Sequence, residues 1–156
     1  MKNVFLIFTV IIASMFNTIT AQSNTEEVDL LQSVFGMEKK AFVAEFIQLE
    51  GEKATAFWAL YDEYEINRKE LGKRRLDLLN AYVENYDSSD EAATNEILQE
   101  SMTLKAGTDN LITSYTKKMK KEVDVKTATQ FFQIEGYILS KIRVEILENI
   151  PVLSNM

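Results

Sequence analysis

The side chains that could carry chemistry in this chain are carboxylates, guanidinium groups and phenols, because histidine and cysteine are both absent. That composition removes Ser-His-Asp triads, Cys-His dyads, thiol nucleophiles, disulfides and zinc sites of the usual kind. The densest carboxylate cluster is Asp62, Glu63 and Glu65. On a helix only Asp62 and Glu65, three apart, share a face. No Gly-rich phosphate loop and no Glu-x-x-His pattern accompanies them. A solvated helix surface is therefore the expected role of the pair, and no enzymatic activity is expected. Carboxylates alone would favour hard cations and hold them weakly, so neither a metal site nor a cofactor is expected.

A second constellation points to binding. Tyr61, Arg68, Arg75 and Tyr82 recur at heptad spacing beside an apolar stripe of Phe57, Tyr64, Leu71 and Leu78. Two guanidinium groups between two phenol rings on an apolar surface suit adaptable contact with a polypeptide, through cation–π and carboxylate pairing. Tyr61, Tyr64, Arg68, Leu71, Arg75 and Tyr82 are the candidate client- or partner-binding residues. For Phe57, Trp58, Tyr61 and Tyr64, burial in a helical bundle is the alternative, since large aromatics on a helix usually pack inward.

These residues must be positioned by helices. One Pro and five Gly leave few forced turns, which favours long helices over strands. A helix-start signal also occurs twice: residues 49–64 return as residues 123–138. Leu49 corresponds to Val123, Glu50 to Asp124, Phe57 to Phe131 and Trp58 to Phe132. Each copy is a hydrophobic residue, an acid, a polar spacer and a helix opening on an aromatic pair. Asp124 is a good N-cap, with Val123 before it as a hydrophobic staple, whereas Glu50 is a poor cap. The expected fold is all-α, with four main helices in two hairpins, each hairpin announced by this signal.

Taken in order, residues 37–50 form an amphipathic helix of about three turns with Ala41, Phe42, Phe46 and Leu49 on one face. Residues 51–86 form the long helix, roughly 54 Å, with a bend expected at Gly72. Ser88 with Glu91 fits a capping box and starts the third helix near Ser89. Its apolar row is Ile97, Leu104 and Leu111, widened by Leu98, Ile112 and Met119, and its lysine-rich end at 117–121 complements the helix dipole. The fourth helix carries Phe131, Ile134, Ile138, Ile142 and Ile146 at steps of three and four, extends its apolar surface through Tyr137, Val144 and Leu147, and ends before Pro151.

The first residues read differently. Lys2 precedes an apolar run over residues 4–16 and a small residue at Ala21, the pattern of a cleavable secretory signal peptide (1–21) cut after Ala21. The run falls short of the roughly 20 apolar residues that cross a bilayer. Residues 22–36 follow as a flexible lead or a short helix capped by Thr25, then the helical domain over 37–151 and a tail over 152–156. A net charge of −7 makes nucleic acid a poor partner.

Residues 38–65, answered by residues 123–135, resemble the Spy/CpxP-related periplasmic helical proteins. The nearest branch is the one labelled sensor of ECF-type sigma factor or periplasmic heavy-metal sensor. That family opens its second and fourth helices with two Leu-Thr-x-x-Gln motifs, the former commonly continuing into Phe-Trp-x-x-Tyr. Here the positions read Leu49-Glu50-Gly51-Glu52-Lys53 and Val123-Asp124-Val125-Lys126-Thr127. Neither keeps the Thr or the Gln; the aromatic continuation, Phe57-Trp58 with Tyr61 and then Phe131-Phe132, and the two-copy layout are kept. The resemblance implies an elongated, cradle-shaped homodimer in the periplasm that binds unfolded proteins without ATP, as an envelope-stress chaperone. The alternative it implies is a regulatory partner of an envelope sensor or an ECF sigma/anti-sigma system. The histidine-based metal binding of some members does not carry over to a chain without histidine.

Overall fold

The computed structural model describes residues 39–86 and 90–149. Four helices account for nearly all of them: α1 (Lys39–Phe46), α2 (Gly51–Glu84), α3 (Glu91–Glu122) and α4 (Val125–Asn149), with no strand among the described residues. The expected signal peptide, the lead with its Thr25 cap, Ser88, Ser89, Pro151 and the tail lie outside the described residues. No helix among those described is long and apolar enough to cross a membrane.

Both copies of the repeated signal stand at helix starts, immediately before α2 and α4. Asp124 performs as its chemistry requires: Oδ1 accepts from the Thr127 backbone N–H at 2.7 Å, satisfying one of the orphan donors of the first turn. Glu50 is extended (φ −130°, ψ 160°) and makes no side-chain cap. The chain turns into α2 instead through Gly51, at φ +59°, a conformation that glycine alone adopts without steric cost. At α3 the cap is Asp90, whose Oδ1 accepts from Ala92 N and Ala93 N at 2.9 and 3.1 Å. The expected start near Ser89 is thus corrected by two positions, to Glu91, where one carboxylate oxygen of Asp90 accepts from two N–H groups at once. α2 runs unbroken through Gly72.

α2 packs against α3, α3 against α4, and α1 against α4. Partners along α2 rise as those along α3 fall, from Glu63 with Lys118 to Arg74 with Glu100, so these two helices are antiparallel. Lys53 with Asp124 and Tyr64 with Glu135 set α2 and α4 parallel. The core gathers Val43, Ile47, Phe57, Leu60, Ile112, Met119, Phe131, Ile134, Ile138 and Ile142 around Tyr61 and Tyr64. It occupies one part of the bundle only. On α2 no residue beyond Gly72 is buried, and on α3 none before Leu104. The α2–α3 hairpin thus continues past the core as a two-helix arm of about 18 Å.

The stripe on α4 is buried as its spacing demands, but α1 is turned relative to the expected face. Lys39, Val43 and Ile47 point inward, Phe42 is half-buried, and Phe46 is 45% exposed. Both sets step by three or four residues, so periodicity alone does not choose between them. The floor beneath α1 does: it is already filled by aromatic rings, leaving room for aliphatic side chains, and it contains two carboxylates that need a cation.

A buried charge network and the candidate binding row

The aromatic floor is built from successive turns of α2 and one turn of α4. Phe57 stacks on Tyr61 with centroids 5.8 Å apart, and Tyr64 meets Phe131 edge-on at 5.1 Å. Tyr61 and Tyr64 are 0% and 1% exposed. An exposed binding surface is therefore corrected for these two residues: large rings at core register on a helix lose more by facing water than their hydroxyls lose by burial with partners.

Those partners form a network that spans three helices. Lys39 Nζ of α1 donates to Glu135 Oε1 of α4 at 2.7 Å, to Glu65 Oε1 of α2 at 2.5 Å and to Tyr61 Oη at 3.1 Å. It also lies 5.1 Å from the centroids of both Tyr61 and Tyr64, within cation–π range. Tyr64 Oη donates to Glu135 Oε2 at 2.7 Å, and Arg68 Nε donates to Glu65 Oε1 at 2.8 Å. Two cations and two carboxylates thus neutralise one another, and among the described residues no buried side-chain polar atom lacks a partner.

The electrostatics follow from this packing. Burial pushes the Tyr61 and Tyr64 hydroxyls well above the ordinary phenol value, and the neighbouring Glu135 carboxylate pushes them further. Burial also pushes Glu65 up, but Lys39 and Arg68 outweigh it and hold the carboxyl below its ordinary value. All these shifts favour the protonation states that the network already has near neutral pH.

The three members of the carboxylate cluster serve three different neighbours. Asp62, on the surface, pairs with Lys40. Glu63 accepts from Tyr115 Oη and Lys118 Nζ, both at 2.8 Å, and these bonds lower its pKa. Glu65 enters the buried network. Their work is to join helices, and among the described residues no group of three or more carboxylates could hold a metal ion.

The rest of the row lies half-buried. Arg68 pairs with Glu65 as described, and Arg75 Nη2 donates to Thr108 Oγ1 of α3 at 3.3 Å. Arg68, Leu71 and Arg75 line a cavity of about 20 Å3 with Thr108, Ile112 and Ile138, which is room for about one water. Tyr82, out on the arm, packs against Tyr86 with centroids 6.3 Å apart. The aromatic pairs of the repeat divide unequally: Phe57 and Phe131 are core, Leu49, Val123 and Trp58 are half-buried, and Phe132 is 53% exposed. Lys53, at the last position of the first motif, reaches Asp124 of the second at 2.6 Å, so the two helix starts meet at one end of the bundle.

Lys39 and Glu135 are not among the residues expected at a site. A signal for them exists in the sequence. Glu135 is four residues after Phe131 and three before Ile138, inside the apolar stripe of α4. Lys39 stands in step with Val43 and Ile47 on α1. Charges at core register call for partners.

Compared with protein-family models, with characterised proteins and with solved structures, the chain finds no match.

Proposed function

We propose that this chain is a non-enzymatic binding protein of the periplasm, a Spy-like, ATP-independent chaperone or envelope-stress component that holds unfolded proteins on a helical surface, acting as a homodimer. The observation that carries the reading is the arm. Beyond the core, α2 and α3 run on with half-buried Leu78, Tyr82 and Ile97 and with Leu98, Met102 and Val83 about half exposed. Interspersed charges such as Arg74 and Glu100 keep this surface mixed. A long, partly apolar face with flexible side chains suits loosely folded chains better than one rigid partner. The repeated sequence signal, which stands before both α2 and α4, supports the same family-like arrangement.

Light scattering of a chemically denatured client tests it. Suppression of aggregation is expected at one protein dimer per client, weakened by L98D/M102D, which alters exposed residues only. No suppression by the parent protein overturns the chaperone reading. A pull-down that recovers one defined envelope protein instead of many would replace it with the regulatory one.

A further inference from the structure

α1 is a separate piece of this bundle seated in a groove that the other helices build. Of its described residues, Lys39–Phe46, only Lys39 and Val43 are buried, so its hold on the other helices is a narrow one. The groove runs between the parallel helices α2 and α4. Its floor is Tyr61, Tyr64 and Phe131, and Glu65 and Glu135 stand on its two walls. α1 fills it with one stripe: Lys39 between the carboxylates, with Val43 and Ile47 buried in the same cluster as the rings.

The ion pairs resist the withdrawal of α1 less than their distances suggest. Desolvated charges gain little net over hydrated ones, and the large penalty arises when one partner stays buried alone. Lifting α1 returns Lys39, Glu65 and Glu135 to water together, so that penalty does not arise. The link over residues 47–50 belongs to neither helix, so α1 can leave without unwinding α2.

We propose that the α2–α4 groove is a peptide-binding site for which α1 is the resident ligand. It accepts a helical segment of another polypeptide that carries Lys or Arg followed by aliphatic residues four and eight positions on. The paired carboxylates of Glu65 and Glu135, with the two tyrosine faces, select the cation. The aromatic floor selects aliphatic groups over further rings. This site is distinct from the arm and does not depend on it.

A fluorescein-labelled peptide of residues 39–50 is the probe, followed by fluorescence polarisation. The protein carries K40C and D62C, an exposed pair across α1 and α2 in a chain with no other cysteine, so that a short bismaleimide can fasten α1 down without touching the buried contacts. The open protein is expected to bind the peptide. Changing Lys39 to Glu in the peptide is expected to weaken binding by at least about tenfold, the scale of a lost charge-assisted hydrogen bond. Cross-linking α1 is expected to abolish binding. L98D/M102D should bind the peptide like the parent, so failure of the arm and failure of the groove are read separately. Binding that survives the cross-link, ignores the charge change or is absent from the open protein overturns the proposal. Cross-linked products that are dimers, not monomers, would show a second copy's α1 in the groove and overturn it as well.

Discussion

Lys39 and Glu135 meet at 2.7 Å across nearly the whole described chain, with side chains only 6% and 3% exposed. Removing the cation alone would leave Glu135 buried beside Tyr64 with its charge uncompensated. K39M is therefore expected to cost about 3–5 kcal/mol, the range for breaking a buried pair from one side. K39M/E135Q should recover a large part of it. Urea unfolding checks both, and a K39M loss within the roughly 0–1 kcal/mol typical of surface pairs would show that the network is hydrated.

Acid should act on the same network. Glu65 is held below its ordinary value of 4.5, so the folded chain binds that proton more weakly than the unfolded chain does. Its contribution is complete above the unfolded pKa and is lost as pH falls through the lower folded value. Unfolding midpoints measured from pH 6 down to about pH 2 should decline, and E65Q should decline less steeply. Equal slopes for the two proteins would remove Glu65 from the explanation.

The tyrosines give the opposite sign. Tyr61 and Tyr64 have pKa values raised above the ordinary 10.0, so their contribution is complete below pH 10 and is lost as pH rises further. Two of the phenols should stay un-ionised by absorbance until helicity collapses. Y61F keeps the ring, removes one ionisable hydroxyl and should move the alkaline transition upward. Ionisation of all tyrosines ahead of unfolding would contradict the buried placement.

Two glycines should respond to alanine in opposite directions. Gly51 holds φ +59° at the entry to α2, so G51A is expected to lower stability by about 1 kcal/mol. Gly136 lies inside α4 with nothing within 4 Å of where a Cβ would stand, so G136A should raise it by up to about 1 kcal/mol. Thermal melting of the two variants decides the signs.

How much of this was legible in the sequence differs from helix to helix. α4 was, because Phe131, Ile134, Ile138 and Ile142 step by three and four and all four are buried, although Tyr137, Val144 and Leu147 beside them stay exposed. The Asp124 cap was, because its chemistry is local. α1 was read on the wrong face: Phe42 and Phe46 compete with Val43 and Ile47 at the same period, and the choice is made by rings and carboxylates on other helices. The binding row divided for a similar reason. Heptad spacing placed Tyr61, Arg68, Arg75 and Tyr82 along one line of α2, but what covers that line changes along its length. Tyr61 lies under α1, while Tyr82 is out on the arm. Glu65 and Glu135 look like surface acids until the lysine that joins them is known.

The Lys39 contact also sets an order of events. The groove that receives α1 needs α4, the last of the four helices to leave the ribosome, and its second carboxylate arrives only with Glu135. Until then the first described segment has only one of its two carboxylates, Glu65, and lacks the part of its floor that Phe131 supplies. Residues 39–46 are therefore the part that waits. A chain halted before α4 should show a formed α2–α3 hairpin with residues 39–46 still open to a protease, and release of the finished chain should close that site.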